Sequence, residues 1–263
     1  MSKVGILAAW VCACAVAMVG AQAQTTAPAP APASSASPAV SPAAQKMVRA
    51  AIAKLSSKAQ VDSIEAAELP GFYQVIASGQ LLYVSDDGKY LLNGDLFDLA
   101  ARRNVSEAAW AKFRQRELPT VPAAARIVYA PKNPRYTVTV FTDVNCSFCR
   151  ALHAHIGALN AAGIAVEYLA WPREGLTTTS GRPTPTYTQM VSVWCAADRK
   201  AAFAAALKDN VKPATCTNPV ADQFNLGLKL GVSGTPTIVG PDGRVLGGYL
   251  TPEQLLAALR EGD

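Results

Sequence analysis

Apolar positions along the chain fall into blocks of different period, and each block predicts an element. Met47, Val48, Ala51, Ile52 and Leu55 recur at three- and four-residue spacings in a stretch free of Gly and Pro, the pattern of an amphipathic helix. Strand-like runs follow at Gly71–Ile76, Leu81–Val84 and Tyr90–Gly94, separated by Ser78-Gly79 and by Asp86-Asp87-Gly88. The Asp-Gly turn offers the positive φ that a tight hairpin needs, so Asp86 and Asp87 are expected as turn residues rather than metal ligands. Three strands and one helix over about sixty residues make a marginal core, which favours a homodimer that extends the sheet across subunits.

A second helical stretch lies between Asn104 and Leu118, starting at Val105-Ser106-Glu107, continuing through Trp110, Phe113 and Arg114, and ended by Pro119. It reads as a linker helix. Ile127-Val128-Tyr129 then begins alternating strand patterning, and Tyr136–Phe141 predicts a full strand. After a turn through Thr142–Asn145, the motif Cys146-Ser147-Phe148-Cys149 opens a helix expected to run through Leu152, Ile156 and Leu159 to Gly163. A second strand at Ile164–Leu169 completes a β-α-β unit with the cysteines at its carboxyl edge, where chemistry favours sitting. Downstream, Gly231–Val239 runs a loop into a strand, Pro241-Asp242-Gly243 turns it, Arg244–Leu246 pairs back, and a helix spans Pro252–Arg260.

Composition changes this picture mainly at the N-terminus. Half of the 263 residues are apolar, but the first forty inflate that fraction without implying a core. Met1 to Ala23 carries Lys3, an apolar run from Val4 to Val19, and Ala21-Gln22-Ala23, the small-x-small pattern of a cleaved secretory leader. The run is shorter than the roughly 20 residues that span a bilayer, and no cysteine sits at the cleavage position to make a lipoprotein. Cys12 and Cys14 leave with the leader. From Gln24 to Ala44 a tract of Ala, Pro, Ser and Thr reads as a tether.

Four cysteines remain, Cys146, Cys149, Cys195 and Cys216, an even number that favours two pairs in an oxidising compartment, with three pairings open. Removing Lys3 leaves 23 basic residues against 19 acidic ones, a net charge of +4 spread along the chain. There is no basic cluster interleaved with aromatics, so nucleic acid is not an expected partner. No Gly-rich phosphate loop or ligand cluster calls for a nucleotide, flavin or metal cofactor.

The chemistry centres on the CxxC motif. Unpaired N–H groups and the positive dipole end at a helix N-terminus stabilise an anion, so Cys146 can be a thiolate, the attacking species in disulfide exchange. Cys149, one turn later, is placed to close a ring and expel whatever has bonded to Cys146. A zinc site built from the two cysteines and His153 or His155 is the competing reading. It weakens because the two histidines lie two apart and cannot both turn to the motif, so both are expected to face solvent. The strand leading to the motif offers Val138 and Val140 with only Asp143 nearby, which leaves the proton of Cys149 without an assigned acceptor.

The segments FTDVNCSFCRALHAHIGALNAAGIAVEYLAWPREGL, VWCAADRKAAF and LGVSGTPTIVGPDGRVLGGY resemble the catalytic domain of the DsbC/DsbG family of periplasmic thiol:disulfide interchange proteins. SGQLLYVSDDGKYLLNGDLFDL resembles that family's N-terminal dimerisation domain. The resemblance implies an α+β chain: a leader at 1–23, a tether at 24–44, and a small cystatin-like sheet-plus-helix dimerisation domain at 45–103. A linker helix at 104–120 and a thioredoxin-like α/β domain with a helical insertion at 121–263 complete it. It further implies a V-shaped homodimer whose active sites face an uncharged cleft. There it would reshuffle mispaired disulfides of unfolded or misoxidised exported proteins, with chaperone activity besides, and a membrane reductant of the DsbD type would keep it reduced.

By the same resemblance Cys146 is the nucleophile, Cys149 the resolving cysteine, Thr235 and Pro236 a cis-proline pair facing them, and Cys195–Cys216 a structural disulfide. Two departures stand out: Ser147-Phe148 replaces the glycine and tyrosine of the familiar isomerase, and the Gly181–Pro185 loop and the long tether look like insertions. Rival readings are a monomeric thiol oxidase of the DsbA type, which the N-terminal module argues against, a DsbG-type protector of single cysteines, and a purely holding chaperone.

Overall fold

The structure is a computed structural model that describes residues 39–262. The leader and most of the tether lie outside the described residues. The described end of the tether is not extended: helix α1, Pro42–Leu55, starts inside it. Ser41 caps that helix, its hydroxyl accepting the Ala44 N–H at 3.2 Å, and Pro42 occupies the first position, where a missing N–H costs nothing.

Val48 and Ile52 of α1 are buried against an antiparallel sheet of β1 (Val61–Ala66), β2 (Phe72–Ala77), β3 (Gln80–Ser85) and β4 (Leu91–Asn93), in that spatial order. Strand β1 is one more than the meander expected from the sequence. Asp62 and Glu65 break its alternation, and both find cations, Glu65 pairing with Lys112 at 2.7 Å and Asp62 with Lys229 at 3.9 Å. The pleat divides the sheet: Val75, Ala77, Leu82 and Val84 face α1, while Ile76, Leu81 and Tyr83 face the other way. At the β2–β3 turn Ser78 and Gly79 both take positive φ, 49° and 75°. A side chain at position 79 would also meet the Leu228 carbonyl at 2.1 Å, so glycine is required there twice over.

A two-residue hairpin, β5 (Phe97–Asp98) with β6 (Arg103–Asn104), leads into α2 (Val105–Glu117), capped by the Asn104 side chain. This helix is more than a connector. Its Phe113 is buried in a cluster that joins Ile76, Leu81 and Tyr83 of the first sheet to Phe141, Leu169, Trp171, Leu230 and Val239 beyond. Arg114, 5% exposed, donates to the carbonyls of Leu230 (3.2 Å) and Gly243 (3.3 Å) and pairs with Glu107 at 2.9 Å. Glu107 in turn accepts the Val245 N–H at 3.0 Å.

The C-terminal part is a five-stranded sheet, β11-β10-β8-β9-β7, built from β7 (Ile127–Tyr129), β8 (Tyr136–Thr142), β9 (Ile164–Ala170), β10 (Thr237–Val239) and β11 (Val245–Gly247). Only β8 and β9 run parallel, as their helical crossover requires. That crossover is α3 (Ser147–Ala154) and α4 (Ile156–Ala161), two helices where the sequence reads as one. The break comes at His155, whose N–H reaches back three residues to Leu152 rather than four. Helices α5 (Pro185–Trp194) and α6 (Arg199–Ala206) form the insertion, and α7 (Val220–Lys229) and α8 (Pro252–Arg260) complete the layers. Cys195 at the end of α5 is bonded to Cys216 ahead of α7. Closing a loop of 21 residues removes denatured-state entropy worth about 3 kcal/mol.

Candidate active site

The site lies where β8 ends. Thr142 and Asp143 are fully buried at the strand's carboxyl edge, and Cys146 is the N-cap of α3, with its backbone N–H donating to the Asp143 carbonyl at 3.1 Å. Cys146 Sγ accepts the Cys149 backbone N–H at 3.4 Å and lies 3.2 Å from the Thr235 carbonyl oxygen. The Thr235–Pro236 peptide is cis. Sequence positions 146, 149, 235 and 236 therefore meet in one place, while Cys195 and Cys216 sit apart in the insertion. Both Cys146 and Cys149 are free thiols, each about 1% exposed, whereas Phe148 between them is 61% exposed, with its ring centroid 6.2 Å from that of Tyr249.

The two sulfurs differ electrostatically. Burial pushes the Cys146 thiol up, but the Thr235 side chain, the Cys149 N–H and thiol and the Arg173 cation outweigh it, so Cys146 ionises below its ordinary value. Cys149 is driven the other way, to about 12, by burial first and by the neighbouring Cys146 sulfur, against hydrogen bonds from the Asp143 backbone and the Thr142 side chain. Two buried hydroxyls, Thr142 Oγ1 and Thr235 Oγ1, have no other partner, so each is free to turn to the sulfur beside it. One thiol gives up its proton more readily than an ordinary cysteine, and the other is held protonated.

Asp143, the acid the sequence singles out, has its carboxylate already engaged. Oδ1 accepts the Asn145 N–H at 2.7 Å, and Oδ2 accepts the Arg173 N–H at 2.8 Å and Nε at 3.3 Å. Arg173 also donates to the Asn145 carbonyl at 3.3 Å, and the Asn145 amide bridges to Thr186 and Gln189 of α5. Asp143 thus fixes the cation that favours the Cys146 thiolate. Sequence reasoning missed Arg173, although its place just after β9, at the same carboxyl edge, was a usable signal. His153 corrects the expectation that both histidines face solvent. It is half-buried among Tyr129, Tyr168 and Phe203, with Nδ1 3.2 Å from the Tyr168 hydroxyl; His155 alone is exposed. Four-residue spacing puts His153 on the inward face with Cys149, and the break at His155 turns the next residue outward. Among the described residues no cluster of His, Cys, Asp and Glu could hold a metal ion.

A strand, a capping CxxC at a helix N-terminus and a facing Thr-Pro loop define a thiol–disulfide exchange protein of the thioredoxin class. The chain matches the family described as the disulfide bond isomerase protein N-terminal domain over residues 26–107, and the thioredoxin-like domain over 123–263. It is 37% identical to the thiol:disulfide interchange protein DsbC of Dickeya dadantii across 80% of this chain and 86% of that one. Identity to the DsbC of Escherichia coli is 33%, over 81% of this chain and 86% of the relative. A solved disulfide interchange protein from Neisseria gonorrhoeae is 28% identical, with a TM-score of 0.46 over 54% of this chain and 97% of that one. The chain belongs to the DsbC family of thiol:disulfide interchange proteins, and protein disulfide isomerisation is its activity.

Proposed function

We propose that Cys146 is the attacking nucleophile and Cys149 the resolving cysteine, with Thr235 and Pro236 forming the wall against which a substrate strand lies. The observation that carries this assignment is the asymmetry of the pair: Cys146 caps α3 and ionises early, whereas Cys149 stays protonated beneath it. The Cys146 thiolate attacks a mispaired substrate disulfide and forms a mixed disulfide. A substrate thiol then displaces Cys146 and leaves a new pairing. If no substrate thiol arrives, Cys149 attacks Cys146 Sγ, releasing reduced substrate and an oxidised active site. A membrane reductant of the DsbD type then restores the dithiol. Alkylation followed by peptide mapping tests the roles. Cys146 should react with a midpoint below that of a free cysteine, because its thiolate persists down to a lower pH, and Cys149 only as the pH nears about 12. Equal midpoints for both thiols would refute the assignment.

The leader pattern and two cysteine pairs support export to the periplasm, and unfolded or misoxidised exported proteins as substrates. A homodimer is supported by the N-terminal module. Among the described residues strand β4 pairs only with β3, and in and around it Tyr90 (68% exposed), Leu92 (48%), Phe97 (57%) and Leu99 (87%) leave large apolar groups in water. Leu92→Lys should shift sedimentation from twice the chain mass toward a monomer while leaving Cys146 alkylation unchanged. A wild-type chain that sediments as a monomer at micromolar concentration would sink the dimer.

A further inference from the structure

The helix that carries the cysteines also holds a large apolar group in water. Phe148, between Cys146 and Cys149, is well exposed, and its ring is tilted 31° from that of Tyr249 at 6.2 Å. His155 continues the row, 6.4 Å from Tyr249. Tyr249 is held from below, because it packs on the core that contains Val138, Val140 and Tyr168. Its neighbour Gly248 passes so close to the cis-proline that a Cβ there would sit 3.4 Å from the Pro236 carbonyl oxygen. The aromatic row therefore begins inside the CxxC motif and runs on beside the wall formed by Thr235 and Pro236. Strand order gives the row a side. In β11-β10-β8-β9-β7, β10 is antiparallel to β8 and β11 to β10, so the start of β10 and the end of β11 both fall at the edge where β8 ends. Thr235 and Pro236 precede β10 and Gly248 and Tyr249 follow β11, all to one side of the end of β8. On the other side, after β9, Arg173 donates to Asp143 and to the Asn145 carbonyl, and the Asn145 amide turns to Thr186 and Gln189. Cys146 thus lies between an aromatic flank and a polar, cationic one.

We propose that Phe148 and Tyr249 form a specificity surface for the exchange reaction, taking an aromatic or large aliphatic side chain two residues from the substrate cysteine, on one side of it only. An extended strand bonded through its cysteine to Cys146 turns every second side chain toward the enzyme, and two residues span about 7 Å. That reach is of the order of one ring-to-ring spacing in the row. Cysteine is among the residues most often buried in folded proteins, so the neighbours of a mispaired one are commonly the apolar side chains of an unfinished core. In the exchange itself Cys146 Sγ bonds to one substrate sulfur, the substrate disulfide breaks, and its other sulfur leaves as a thiolate with the electron pair. The rings take no part in that step; they hold the strand that undergoes it.

The inference rests on Cys146 as the nucleophile, and one set of peptides separates the two. Symmetric disulfides of short blocked glycine peptides carry phenylalanine, alanine or aspartate two residues before or two residues after the cysteine. They are mixed with the full chain bearing Cys149→Ser, which stops at the mixed disulfide, and acid quenching with mass spectrometry gives each rate of formation. Dividing by the rate of the alanine peptide removes any change in the intrinsic reactivity of Cys146. Phenylalanine on one side of the cysteine should raise the rate by about 3- to 10-fold, the gain of an added aromatic contact, and on the other side should leave it close to the alanine rate. Aspartate at the favoured position should bring no gain. Adding Phe148→Ala or Tyr249→Ala should bring the phenylalanine ratio down toward unity, and Phe148→Tyr should keep it. No gain from phenylalanine at either position, an equal gain at both, or a ratio unmoved in both alanine variants overturns the specificity surface. Peptide bonded to Cys149 at an undiminished rate in a Cys146→Ser chain would instead refute the nucleophile.

Discussion

Replacing Cys146 by serine is expected to reduce reshuffling of a scrambled multi-disulfide substrate to the uncatalysed rate, a loss on the order of 10³-fold or more, as for other removed nucleophiles. Among the described residues no other thiol replaces it: Cys149 is buried and held protonated, and Cys195 and Cys216 are bonded to each other. Cys149→Ser should differ in kind. Initial attack survives, because the Cys146 thiolate is stabilised by α3, Thr235 and Arg173, but stalled substrates accumulate as mixed disulfides visible on non-reducing gels. Reshuffling undiminished in Cys146→Ser would mean that the chain only holds unfolded proteins.

Arg114→Ala should be costly although it lies outside the motif. The guanidinium is almost fully buried and ties α2 to the carbonyls of Leu230 and Gly243, which bracket the loop bearing Thr235 and Pro236. Losing one partner of a buried pair costs about 3 kcal/mol, and in a chain of this size that lowers Tm by roughly 6–12 °C. Glu107→Gln, with its carboxylate partly exposed, should cost below about 1 kcal/mol. Thermal melts of the two variants read the difference directly. A hairpin residue adds to the constraint: Gly243, with φ 78°, lies so close to α2 that a Cβ would meet the Ala111 carbonyl at 2.1 Å.

Much of this architecture was legible in the residues. The β8–CxxC–α3 order can be read because Tyr136–Phe141 alternates cleanly and Cys146 is itself a capping residue, and Ser78-Gly79 and Asp86–Gly88 mark their turns by conformational need. Strand β1 was hidden because Asp62 and Glu65 are matched by lysines from α7 and α2, distant partners that no local pattern contains. The inward turn of His153 follows from its four-residue spacing to Cys149, but the aromatic box that receives it comes from β7, β9 and α6, which no local pattern contains. Arg114 was silent because it acts through backbone carbonyls far away in sequence, and Arg173 offered only its place after β9, since the acid it pairs with lies thirty residues earlier.

The cluster around Phe113 takes side chains from the first sheet, the helix and the second sheet alike. That shared cluster lies between two separate interiors, one beneath α1 and one around Val138, Val140 and Tyr168. Each half thus keeps a core of its own, yet Phe141, one residue before the buried end of β8, leans on a wall supplied by the first sheet and α2, so loosening of the N-terminal half would reach the strand that carries the cysteines.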